Sequence, residues 1–393
     1  MDKRGFLKGL LLAHAHQGFN PRAVENMKTR AENFTKNFIT VVLLAFMAVL
    51  LTAPSGGMGT LAYAQSAQPL GGAPLGSNSD ADLWRAVKSG NAGNVSIQDK
   101  KSGVLVQPSG QVWRDIRNGP LFTYGATAVL GIIALLSFFY MLRGRIRIDG
   151  GKSGVNITRF NSLDRFSHWI LAVSFVILGL SGLNMIYGKF LLIPVFGKSG
   201  YATIAMAGKW MHNYVAFAFI LGLVLILVLW IKHNFPNKHD IIWLLKGGGM
   251  FSKGSHPPAK KFNAGQKILF WLIILCGISI CVSGIALMFP FQFSLFAETF
   301  SMINVLGFNL PTELTGMEEM QLSQVWHSAM GIFMICVIIA HIYIGTLGME
   351  GAFDAMGSGE VDKNWAKEHH SIWVEELESA EQTEATLKQA PAE

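Results

Sequence analysis

An all-α transmembrane helix bundle is the fold class this sequence predicts, and three observations predict it. Only 15% of the 393 residues are charged while 51% are hydrophobic, against about 25% charged in an average globular protein. The apolar residues gather into five uninterrupted stretches, roughly 121–142, 168–188, 211–231, 268–289 and 325–347, each long enough to cross a hydrocarbon core about 30 Å thick. Basic residues concentrate in short segments beside those stretches. The formal charge of +7 therefore reads as a membrane-orientation signal and not as a nucleic-acid surface.

Taken in order, the chain begins with a shorter apolar run, Phe38 to Ala53, preceded by Lys28, Arg30 and Lys36 and followed by small residues ending Ala62-Tyr63-Ala64. This is the anatomy of a secretory signal peptide. It is best proportioned if translation starts at Met27, so residues 1–26 are expected to be a mis-assigned start and 27–64 to be removed; an uncleaved anchor is the competing reading. Residues 65–118 form a periplasmic segment. Its first part, Gln65 to Ser79, is a Gly/Pro/Ser/Asn-rich linker. The remainder carries isolated apolar residues such as Leu83, Trp84, Val87, Trp113 and Ile116, too few for a core of their own, so it is expected to pack on the membrane domain or on a partner.

Residues 119–142 make an additional N-terminal transmembrane helix, and 143–158 a cytoplasmic linker that begins Arg143-Gly144-Arg145-Ile146-Arg147. Residues 159–349 hold the other four spans, and the segment between the third and fourth spans is rich in lysine, with Lys232, Lys238, Lys246, Lys260, Lys261 and Lys267. Both basic segments are predicted to be cytoplasmic, which sets the mature N-terminus outside, as a cleaved signal peptide also requires. The tail 350–393 then falls in the cytoplasm, and its Glu/Ala/Gln/Lys-rich end reads as a solvated helix or disorder.

Cys276, Cys281 and Cys336 all lie in apolar stretches, and no Cys-x-x-Cys-His occurs, which excludes covalently attached c-type haem. Of the eleven histidines, His168, His212, His327 and His341 fall in or at the ends of predicted spans. Ionisable residues there point to function. His327 and His341 are fourteen residues apart on one helix, close to four turns, so they share a face and lie about 21 Å apart along the axis. By the predicted topology His212 and His327 are outer, His168 and His341 inner. Neutral imidazoles facing each other across a bundle suit the two axial positions of a b-type haem, which needs no covalent link. Two haems are expected, with His212 paired to His327 and His168 to His341. Zinc would gather three or four ligands at one level.

Gly179, Gly182, Gly284, Gly331 and Gly345 sit where a macrocycle could approach the backbone, although close helix packing explains them equally. Arg165 and Lys209 are candidates to pair with haem propionates; a positive-inside anchor explains Arg165 just as well. His233, His239, His256, His369 and His370 lie in polar segments and are expected to be exposed or to contact a partner.

From about Thr158 to Ala380 the chain resembles the cytochrome b (gamma) subunit of respiratory formate dehydrogenases. The stretches that carry the resemblance are Arg165-Phe166-Ser167-His168-Trp169, Lys232-His233-Asn234-Phe235-Pro236-Asn237-Lys238-His239-Asp240, Asn263-Ala264-Gly265-Gln266-Lys267 and Trp365-Ala366-Lys367-Glu368-His369-His370. Leu83-Trp84-Arg85 and Asn118-Gly119-Pro120 are similar to longer members, which supports the extra N-terminal region as native. The resemblance implies a multi-pass protein of the bacterial inner membrane in which His168, His212, His327 and His341 ligate two b haems. It further implies an iron-sulfur (beta) partner, a molybdenum or tungsten catalytic (alpha) partner, and quinone reduction near the inner haem, where Asn263 and Gln266 could hydrogen-bond a quinone carbonyl. Helix capping is the alternative for Asn263. The chain carries no pterin or iron-sulfur motif, so it is not expected to oxidise formate itself. Rival readings are the cytochrome of a hydrogenase or another dehydrogenase, a redox-silent anchor, and a transporter, which the lack of inverted repeats and of mid-membrane acids disfavours.

Overall fold

The computed structural model describes residues 109–251 and 254–389, all within one compact unit, Ser79–Glu393. The expected start at Met27, the signal peptide, the linker and most of the segment 80–118 lie outside the described residues. Their first element, α1 (Ser109–Asn118), runs into α2 (Pro120–Arg143), which opens on a proline at its first turn, where a missing N–H costs nothing. A three-residue strand, β1 (Asn156–Thr158), precedes α3 (Ser162–Trp230). α3 starts at a reciprocal cap in which Asn161 accepts from the backbone N–H of Asp164 and Asp164 accepts from that of Asn161.

At 69 residues, α3 would be about 100 Å long if straight, more than three hydrocarbon cores. It is not straight: Gly197 takes φ 68°, three residues after Pro194, and the chain reverses there. The two limbs return side by side, with Trp230 Nε1 donating to Asp164 at 2.7 Å, Phe175 against Phe219, and Ser181 against His212. They touch closely enough that a Cβ on Gly222 would lie 2.8 Å from the Leu171 backbone. The four described helices long and apolar enough to span a membrane thus give five crossings, because α3 supplies two. The sequence places spans at 168–188 and 211–231; the residues between are helical up to and away from Gly197.

After α4 (Lys238–Leu245) comes α5 (Ala264–Met288), then α6 (Leu295–Asn304) and α7 (Gly316–Tyr343). Lys267 of α5 holds Asp240 of α4 through two buried bonds, 2.8 and 3.0 Å; stripping one partner from such a pair costs about 3–5 kcal/mol. Glu319, buried in the first turn of α7, accepts the N–H groups of Phe296 and Ala297 at 2.8 Å each and so fixes α6. α7 is the central helix, packing on α5, α3 and α2. α2 meets it at Gly125, where a Cβ would lie 2.6 Å from Ile332 Cδ1, and Tyr187 of α3 donates to the Phe122 carbonyl at 2.9 Å.

The chain closes with α8 (Asp354–Gly357), β2 (Glu360–Asp362), α9 (Lys363–His369) and α10 (Ser371–Gln389). β2 pairs antiparallel with β1, Ile157 opposite Val361, and an isolated parallel bridge joins Ile146 to Met349. Around this ribbon Phe160, Phe262, Val361, Trp365 and Trp373 form a second core. Arg159 is buried inside it among the rings of Phe160, Trp365 and Trp373, 5.2–5.4 Å from each, and donates to the Lys261 carbonyl. Burial lowers its pKa to about 9.

The tail returns to pair with β1, and its end is the helix α10, which runs to Gln389. One expectation changes here. His370, expected to be exposed or to contact a partner, is 1% exposed, tilted against Trp365 and edge-on to Trp373, with Nδ1 2.8 Å from the Lys260 carbonyl. Tryptophans three to five residues away in a short helix pair build the wall that buries it.

Burial, then the proximity of His256 and Arg159, lowers the pKa of His369 from 6.5 to about 4. Its neutral form contributes stability that is present above pH 6.5 and lost as pH falls toward 4, because only the unfolded chain takes up the proton there. His369→Gln is expected to flatten the decline of the thermal midpoint over that window in detergent; an unchanged slope would show that His369 does not set it.

Candidate functional site

Four helical segments position the intramembrane histidines. His168 stands on the second turn of α3, His212 on its returning limb, and His327 and His341 both on α7. The structure brings them together as two pairs. His212 faces His327 with ring centroids 6.1 Å apart and planes at 66°; His168 faces His341 at 6.2 Å and 65°. The first pair lies toward the Gly197 turn, the second toward the β1–β2 ribbon.

The gap has a chemical meaning. A metal bound by one nitrogen of each ring at about 2.0–2.1 Å, with each centroid roughly 1.1 Å behind its nitrogen, puts the centroids about 6.3 Å apart. Both pairs match that spacing. Groups of three or more histidine, cysteine or acidic side chains able to hold a metal are absent among the described residues, and each pair offers two facing imidazoles.

Hydrogen bonding orients the first pair. Ser181 Oγ lies 2.8 Å from His212 Nδ1, and Ser283 Oγ lies 3.1 Å from His327 Nδ1. Each hydroxyl already donates its proton to its own helix, Ser181 to the Ile177 carbonyl and Ser283 to the Ser279 carbonyl. With the hydroxyl proton given to the helix carbonyl, each serine oxygen is placed to accept from an Nδ1–H tautomer of the imidazole, an arrangement that leaves the Nε2 lone pair for a metal. In the second pair, His168 Nδ1 is buried without a hydrogen-bond partner.

A cavity of about 480 Å³ surrounds the first pair, within the range of cofactor pockets. Gly179, Gly182, Gly284 and Gly331 line it. A Cβ on Gly284 would come 3.1 Å from His327 and press on that ring, whereas one on Gly182 would lie in ordinary contact with His212 at 3.6 Å. Gly345 lies outside this wall, in a single π turn after α7.

The other sequence candidates fall in different places. Lys209 lines the cavity one turn before His212. Arg165 instead donates to the Ser358 carbonyl and ties α3 to the turn before β2. Asn263 and Gln266 form a reciprocal cap at the start of α5, Asn263 Oδ1 accepting the Gln266 N–H at 2.9 Å and Gln266 Oε1 accepting the Asn263 N–H at 3.1 Å. Their oxygens are thereby engaged, and none of these bonds uses their side-chain NH₂ groups. No hydrogen bond joins either to His168 or His341 among the described residues. Sequence reasoning passed over Ser181 and Ser283. The signal that could have found them is the pair of Ser-Gly dipeptides, 181–182 and 283–284, in two apolar spans that flank the histidines.

Residues 159–359 match the family model described as prokaryotic cytochrome b561. The nitrate-inducible formate dehydrogenase cytochrome b556(Fdn) subunit of Escherichia coli (strain K12) is 30% identical over 228 residues, which cover 57% of this chain and 93% of that protein. The formate dehydrogenase cytochrome b556(fdo) subunit of the same strain is 28% identical, with 58% and 97% covered. The formate dehydrogenase cytochrome b556 subunit of Haemophilus influenzae (strain ATCC 51907 / DSM 11121 / KW20 / Rd) is 29% identical, with 56% and 83% covered.

Removing the acceptor behind either imidazole frees the ring to turn. Ser181→Ala or Ser283→Ala is expected to weaken metal binding at the His212–His327 pair by about 10–100-fold. The measurement is haem retained per polypeptide after dilution, with the His168–His341 pair as internal control; equal loss from both pairs would indicate general loosening instead.

Proposed function

We propose, on the premise that the chain belongs to the prokaryotic cytochrome b561 family, that it is the membrane cytochrome b subunit of a formate dehydrogenase and holds two b haems. The observation that carries this reading is the pair of facing imidazoles at each of two levels of one helix, spaced for one metal between them. The formate assignment is supported by the names of the similar proteins and by the Asn263–Lys267 and Trp365–His370 stretches.

When bound, the haems supply one-electron carriage from a partner at the Gly197 end to quinone at the ribbon end. The chain's own residues do the rest. His212 and His327 hold one group with Nδ1 protons turned away to serine, and His168 and His341 hold the other. Apolar helix faces exclude water from the space between. Arg143, Arg145 and Arg147 lead from α2 into the ribbon end, and the lysine-rich segment from Lys232 to Lys267 lies at that end too, which supports a cytoplasmic ribbon end and a periplasmic Gly197 end. An iron-sulfur subunit and a molybdenum or tungsten catalytic subunit would then meet the chain from the periplasm. At the ribbon end the NH₂ groups of Asn263 and Gln266 are the donors proposed for a quinone carbonyl, held still by the cap their oxygens make.

Reduced-minus-oxidised spectra with haem stoichiometry test the reading. Purified protein is expected to carry two b haems, and His212→Ala and His341→Ala to lose one each; a well-folded wild type without haem would leave a redox-silent anchor. For quinone, Asn263→Ser keeps a capping oxygen but removes the NH₂ donor. It is expected to slow oxidation of the dithionite-reduced haems by a soluble quinone at unchanged haem content, and an unaltered rate would remove Asn263 from the quinone site.

A further inference from the structure

The region that precedes the matched family segment, which starts at residue 159, reaches into the cavity of the first histidine pair. Trp113 and Arg117 of α1 and Leu121 of α2 are part of its lining. Trp113 and Arg117 are four residues apart on α1 and so share one helical face, and the Arg117 guanidinium lies 5.7 Å from the Trp113 ring centroid. Asp115, the one acid of α1, is instead engaged by Gln111 at 2.8 Å.

The charges on that lining are one-sided. Its ionisable side chains other than histidine and cysteine are Arg117 and Lys209, both cationic, and none of the lining residues is acidic. The indole N–H of Trp113 is buried and has no partner, an omission that folded proteins rarely tolerate without a ligand to answer it. Two cations and an unanswered donor on the lining of a cavity without acidic residues call for an anion with several acceptor oxygens. Haem b carries two propionates, which supply both charges and the acceptors.

We propose that α1 is a clasp for the cofactor of the His212–His327 pair, in which Arg117 and Trp113, together with Lys209, bind the propionates of that haem. The proposal rests on the reading of that pair as a haem site. It gives the N-terminal extension a binding function at one of the two sites only. A cation at the propionates favours the form of the cofactor with one electron more, so removing it makes reduction harder.

Potentiometric titration of the full-length protein, followed optically, reads this directly. Arg117→Gln and Trp113→Phe are each expected to move the midpoint of the haem at His212–His327 to lower potential and to speed its loss to a haem acceptor, with Arg117→Lys close to wild type and the His168–His341 haem unmoved. Arg117 is exposed on α1, so its replacement does not unfold the bundle, and the second haem reports any global damage. Wild-type haem at His212–His327 whose potential and release rate are unchanged in both variants overturns the clasp alone. A wild type with no haem at that pair overturns the clasp together with the haem reading beneath it.

Discussion

Fourteen residues make nearly four turns of α-helix, so His327 and His341 leave α7 on one face about 21 Å apart, and the rest of the bundle is arranged to meet that face twice. In a hydrocarbon solvent every backbone polar group is consumed within its own helix. Chemistry is therefore left to side chains that cross between helices. The two limbs of α3 answer α7 at both levels, His212 against His327 and His168 against His341. α5 meets the first pair with Ser283 and Gly284, and α2 packs on α7 through Gly125 and Ile332.

The two levels are built differently. Toward Gly197, serine hydroxyls fix both imidazoles, and a large apolar cavity with two cations surrounds them. Toward the ribbon, His168 has no such partner, and beyond it stands the second core, in which Arg159 is enclosed by aromatic rings and the tail returns to pair with β1. Hydrogen bonds behind a ligand change its basicity, so unequal surroundings are a means of giving chemically equal ligands unequal properties.

Much of this was legible from residue pattern. Hydropathy located the crossings, because lipid solubility is a property of composition over about twenty residues. It could not show that 189–210 is helical around a break at Gly197, since a helix that leaves the lipid keeps its hydrogen bonds whatever its side chains. The helical period carried the common face of His327 and His341, while Ser181 and Ser283 were passed over because a serine in an apolar span signals nothing until its helix is turned toward a ring. The burial of His370 was hidden for a related reason: a polar, charged stretch reads as solvated, and only the folded position of Trp365 and Trp373 encloses it. Trp113 and Arg117 sat in a segment whose sparse apolar residues announced packing without naming the surface.

α7 contributes one histidine to each pair, whereas the partners of both lie on the two limbs of a single hairpin that is contiguous in sequence. The hairpin can form early from local contacts, but neither site exists until the last crossing docks. Biogenesis therefore has one closing event for both sites. Whatever cofactor fills either one draws α7 into place by mass action, so loading the first prepares the second, and a chain starved of cofactor would be expected to fail at its final span and not at its first.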